Sequence, residues 1–129
     1  MTPEADRFIL KARNLLNHGA IMLRVNLNDD AGRTAYLAGF HAAQAFIFEN
    51  NGKVVKSHNG VQIEFLRLTK DDTRFTADQR VFLSQTYNLN AIADYETGPG
   101  AVVSPEPAAA ALETGKNFVA HIERLLRPD

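Results

Sequence analysis

Cysteine is absent from all 129 residues. Thiolate zinc sites, disulfide frameworks and cysteine nucleophiles are thereby excluded, and the composition fits a reducing compartment. A dominant charge is lacking as well: 14 Lys and Arg stand against 15 Asp and Glu, a formal net charge of −1. No general electrostatic pull toward nucleic acid follows, so any such contact must come from a local patch. No stretch approaches the ~18 apolar residues of a membrane span, and the opening MTPEADRF has no apolar run of the signal-peptide kind. A cytoplasmic protein without membrane association is the expectation. Metal ligation is not expected either, because His18, His41, His58 and His121 fall on different predicted elements with no His-His or Glu-His pair at ligand spacing. P-loop, nucleophile-elbow and zincin motifs are missing, and no cofactor is implied. So are alternating strand patterns, internal repeats and low-complexity tracts. What remains is one all-α domain over residues 1–129, large enough for a core without staples.

The chain is organised around AGRTAYLAGFHAAQAFIFENN, residues 31–51. Asn28 is a candidate cap, Asp29 and Asp30 suit the positive end of a helix dipole, and Gly52 suits the far end. Tyr36, Phe40, Ala43 and Ile47 recur at helical spacing as an apolar stripe. Beside it Ala35, Gly39, Ala42 and Ala38, Ala42, Ala45 make rows of small side chains where another helix can approach closely. A first helix is expected from Pro3 to Arg24, opened by Thr2 and either weakened or broken at Gly19, with NLNDD as its connection to the second. Ser57 opens a third from His58 to Thr69, with Val61, Phe65 and Leu68 inward. Thr76 and Gln79 form a capping box for a fourth, which carries Val81, Phe82, Leu89, Ile92 and Ala93 and runs to Tyr95 before Gly98-Pro99-Gly100. Ser104 caps a fifth from Pro105, carrying Ala109, Leu112, Phe118, Val119, Ile122, Leu125 and Leu126. Short loops make this an antiparallel up-and-down bundle of four to five helices.

Polar residues set into these apolar patterns are the candidates for function. Arg33 and His41, eight residues apart, are separated by about 12 Å of rise and roughly 80° around the axis, so they can line one groove without touching. His41 reads either as a core histidine with a hydrogen-bond partner or as a groove residue on a phosphate or base. Arg33 reads either as a solvated or Asp-paired arginine or as a working cation. Lys53, Lys56, His58 and Arg67 offer a modest basic edge. On the fourth helix Tyr87, Asn90 and Asp94 fall at i, i+3 and i+7 and share a face, with Tyr95 adjacent.

The run Arg33-Thr34-Ala35-Tyr36-Leu37-Ala38-Gly39-Phe40-His41-Ala42-Ala43-Gln44-Ala45 resembles the second-helix signature of HEPN domains, where an Arg-x-x-Tyr segment leads into Phe-His-Ala-Ala. Lys56-Ser57-His58 before the third helix, Ala93-Asp94-Tyr95 closing the fourth, and Ser104-Pro105-Glu106 opening an Ala-rich last helix resemble the same family, in order along essentially the whole chain. The resemblance implies a helical bundle, commonly a homodimer. Many such proteins are toxins or defence proteins that cut RNA without metal, often beside a small nucleotidyltransferase or antitoxin partner. In those nucleases an Arg near the end of the fourth helix is followed four to six residues later by a His or Tyr. The Arg steadies the phosphate while the second residue assists proton transfer as a ribose 2′-OH attacks. Tyr95 matches the second position here, but Asn90 stands where the Arg is expected. Asn donates a hydrogen bond without the charge or the bidentate fork of a guanidinium. Arg33, from the neighbouring helix, is the candidate replacement. Arg13 and His18 also match a simple spacing search, but they sit on the first helix, away from the family's site.

The resemblance and the residues together carry two expectations. One is a ribonuclease, or a degenerate descendant of one, with Asn90, Asp94, Tyr95 and Arg33 at the reacting phosphate and Tyr36, His41, Lys56, His58 and Tyr87 binding RNA or nucleotide. The other is a non-catalytic homodimeric partner or substrate-binding subunit for a small nucleotidyltransferase.

Overall fold

The computed structural model describes the backbone of residues 1–95 and 105–128 and the side chains of residues 1–87 and 105–128. Within them the chain forms α1 (Pro3–Arg24), α2 (Asn28–Asn51), α3 (His58–Thr69), α4 (Ala77–Tyr95) and α5 (Pro105–Leu126), with no strand among the described residues. The all-α bundle is therefore observed. The Gly98-Pro99-Gly100 stop, the Ser104 cap, and the inward placement of Leu89, Ile92 and Ala93 lie outside the described residues.

Helix ends follow from local chemistry. The Thr2 hydroxyl accepts from the Ala5 amide at 3.2 Å and Pro3 presets the first turn. Ser57 Oγ accepts from the Gly60 amide at 2.9 Å. Thr76 and Gln79 close the capping box in both directions, at 2.9 and 3.1 Å. Gly52 ends α2 at φ 72°, a left-handed conformation in which a Cβ would be strained. One end corrects the sequence reading. Asn28 is the first residue of α2 rather than its cap; the cap position is Leu27, which makes no side-chain cap bond. The connection shrinks to residues 25–27, with Asn26 at φ 65°, a conformation that asparagine tolerates better than most residues.

α2 packs against all four other helices and is the hub of the core. Its rows of small residues, Ala35, Ala38, Gly39, Ala42, Ala43 and Ala45, are all buried and allow these approaches. A Cβ on Gly39 would come within 2.3 Å of the Phe82 ring of α4, so glycine is required for this contact. α1 runs unbroken through Gly19, which is buried and admits Leu112 of α5. An aromatic cluster fills the base of the bundle: Phe46, Phe65 and Phe75 meet edge to face, and Phe82 stacks on Phe118 at 4.6 Å. On α5 the buried alanine is Ala108, whereas the expected Ala109 is exposed. Phe75, in the loop between α3 and α4, is buried although the sequence reading placed no core residue there.

Candidate functional site

Three of the predicted ligand residues meet where α2, α3 and α4 converge. Tyr36 on α2 is nearly buried, at 3% exposure, and its hydroxyl lies 2.7 Å from Nδ1 of His58, the exposed first residue of α3. When the imidazole is neutral with its proton on Nε2, the phenol donates to Nδ1; a doubly protonated ring donates to the phenol oxygen instead. Tyr87 on α4, 43% exposed, places its ring 5.5 Å from Tyr36 and 5.6 Å from His58. Burial raises the Tyr36 phenol above its ordinary pKa; a hydrogen bond with Gln62 works against that shift, and the nearby Tyr87 adds to it. The start of α3 is packed tightly here: a Cβ on Gly60 would meet Ser57 Oγ at 2.6 Å and Val55 Cγ1 at 2.8 Å. His58 is thus an exposed imidazole with one nitrogen anchored, beside an exposed phenol ring. Lys56, also exposed, lies two residues away.

His41 stands on the other side of Phe40. It is half-buried, and its Nδ1 donates to Gln44 Oε1 at 2.7 Å. Buried Gln44 in turn donates from Nε2 to the Val55 carbonyl at 2.8 Å, which fixes the orientation of the amide and so the proton on Nδ1. Burial pushes the His41 imidazole below its ordinary pKa; the Gln44 bond opposes this and the charge of Lys11 reinforces it. The reading of His41 as a histidine with a hydrogen-bond partner therefore describes its Nδ1 side. Its ring also stacks on Phe8 of α1, with centroids 6.4 Å apart.

Arg33 is exposed and pairs with Asp30 at 3.2 Å one turn earlier. Arg67, suggested as part of a basic edge, is bonded to Glu64, with Nε at 3.1 Å. Arg13, on α1, pairs with Glu123 on α5. α4 continues as helix through Tyr95, so the i, i+3, i+7 spacing of Tyr87, Asn90 and Asp94 is kept. The side chains of Asn90, Asp94 and Tyr95 lie outside the described residues. Among the described residues no group of three or more His, Asp or Glu is placed to hold a metal ion, and no helix there is long and apolar enough to cross a membrane. A groove of about 850 Å³ runs between α1 and α5, floored by Leu16, Ala20, Leu112 and Val119. None of the predicted site residues lines it.

Sequence reasoning found Tyr36, His58 and Tyr87 as types but missed three partners: Gln62 on Tyr36, Val55 on Gln44, and Phe8 on His41. The first had a signal, since Gln62 follows His58 by one helical turn. The other two depend on how the loop before α3 and helix α1 pack against α2, which no local pattern reports.

The family model for the HEPN domain matches residues 5–125 of this chain. The chain belongs to the HEPN family. HEPN domains occur in RNase-type toxin and defence proteins, and they often dimerise. No curated protein matches this HEPN chain.

Proposed function

We propose that this HEPN domain binds RNA, or a nucleotide, on the face formed by Tyr36, His58 and Tyr87, as part of a toxin–antitoxin or defence system. The observation that carries the reading is the anchored His58: an exposed imidazole held at Nδ1 by a buried phenol and flanked by an exposed tyrosine ring. Imidazole and phenol rings offer π-faces to an unstacked base, and Lys56 offers charge to a phosphate. Asn90, Asp94 and Tyr95, which follow Tyr87 along the α4 backbone, are the candidates for contact with the phosphate.

Metal-independent cleavage by this chain is weak or absent in this reading. A pentacovalent phosphorane needs positive charge at its non-bridging oxygens, and losing one such donor typically costs ~10²–10³ in rate. Asn90 supplies a dipole, and Tyr95, with a reference pKa of about 10, is a poor base near neutral pH. The test incubates labelled RNA in EDTA with wild type, Asn90→Arg and Arg33→Ala. Cleavage gained by Asn90→Arg over an inert wild type is the expected result and marks a degenerate nuclease site. Cleavage by wild type that Arg33→Ala abolishes, with folding intact, would make Arg33 the working cation and overturn the expectation. Failure of all three proteins to cut or bind RNA would leave the second reading, a homodimeric partner of a nucleotidyltransferase. That reading is favoured by the exposure of Ile63 (66%) and Leu66 (38%), three residues apart on α3.

A further inference from the structure

We infer that Phe8 and His41 form a second nucleobase subsite, so that an unpaired RNA strand crosses α2 from the α3–α4 side to α1. The inference rests on the reading of the His58 face as an RNA site and extends it to a length and a direction.

The rings involved are contiguous. Tyr87 lies 5.6 Å from His58, His58 5.1 Å from Phe40, Phe40 5.5 Å from His41, and His41 6.4 Å from Phe8. The middle ring, Phe40, is buried and serves as floor, whereas His58 and Tyr87 at one end are exposed and His41 and Phe8 at the other are half-buried. Two partly open aromatic platforms thus flank one closed ring. An exposed lysine attends each end. Lys56 precedes His58 by two residues, and Lys11 follows Phe8 by one helical turn and acts electrostatically on His41. Aromatic platforms interleaved with cations suit a single strand, because every base has a π-face and each linkage carries a charge; a duplex keeps its bases stacked on one another.

The polar chemistry at His41 fits this role. His41 is half-buried, and its Nε2 is not among the buried polar atoms left without a partner, so that nitrogen is open to solvent or to a ligand. Among the described residues only Nδ1 of His41 has a hydrogen-bond partner. Because Gln44 presents an oxygen to it, Nδ1 carries the proton and Nε2 is a lone-pair acceptor. Nε2 can therefore receive an N–H from the edge of a base stacked toward Phe8. Gln44 is a positioning residue in this scheme, acting through the imidazole it orients.

The experiment follows the ring C–H signals of His41 and His58 by NMR during titration with AMP, UMP and the 5′-phosphorylated dinucleotides pApA and pUpU. Mononucleotides should shift His58 and leave His41 in place. Dinucleotides should shift both and bind roughly tenfold more tightly or better, the gain typical of one added stacked base. Lys11→Glu, at an exposed position, should remove that gain while leaving mononucleotide affinity unchanged, and His41→Ala should remove the gain as well; Lys11→Glu keeps the test valid if His41→Ala fails to fold. Dinucleotides that shift His58 alone, or that bind Lys11→Glu as tightly as wild type, overturn the second subsite and leave the first. Ligands that move neither histidine overturn the RNA reading itself, and the extension falls with it.

Discussion

His41 and His58 lie on either side of Phe40, yet the fold treats them differently. His58 is exposed and held by a phenol from below; His41 is half-buried, and its neutral form is favoured because burial disfavours the imidazolium. A group whose pKa is lower in the folded chain than in the unfolded one contributes stability above the unfolded value, and that stability is lost as pH falls through the folded value. With an unfolded pKa of about 6.5, the unfolding free energy from urea titrations should fall as pH is lowered from about 7.5 to 5.5, with a slope of at most ~1.4 kcal/mol per pH unit. The carboxylates of Glu64 and Asp72, each held below its ordinary pKa by a neighbouring arginine, lose their contribution only in more acidic solution. His41→Phe should flatten the slope; an unchanged slope in that variant would assign it to another group. At this scale the sequence showed which residues are unusual and not whom they meet. Tyr36 and His58 lie 22 residues apart, and their 2.7 Å contact exists only because α3 folds back across α2. The contact of His41 with Phe8 depends in the same way on the packing of α1 against α2.

Helices and their ends were legible because their signals are local. Thr2-Pro3, Ser57 and the Thr76–Gln79 box each settle a boundary within four residues of chain. Asn28 failed as a cap because the helix begins one residue earlier, the Leu27 carbonyl already accepting from the Ala31 amide at 2.9 Å, a matter of backbone geometry that side-chain preference does not report. The small-residue rows of α2 gave its role as hub, and the sharpest consequence concerns Gly39. The Phe82 ring that covers it is itself stacked on Phe118, so it has little room to withdraw. Gly39→Leu should destabilise the fold by about 1–3 kcal/mol or more, read as a lowered urea midpoint. A variant with the wild-type midpoint would mean that α4 can shift away from α2 at little cost. Phe75 was not legible, since a loop phenylalanine becomes core only through the convergence of Phe46 and Phe65 upon it.

For the molecule as a whole, fold class and family were legible, whereas the homodimer came only as what the family resemblance implies. A monomer's sequence carries no term for a surface that pairs with its own copy. We expect a symmetric homodimer with the α4 face near the two-fold axis, so that two copies of the site form one composite groove. Light scattering at micromolar concentration checks this, and a strictly monomeric mass would refute it. The ring contacts of Tyr36 and Tyr87 with His58 have an optical consequence. The chain holds no tryptophan and three tyrosines, two of which belong to this contact. Ultraviolet emission from this protein is therefore tyrosine emission, and a large share of it originates at the candidate site. Occupation of the site, or a change in the charge on the imidazole, alters the quenching of those two phenols and is visible in the unlabelled chain.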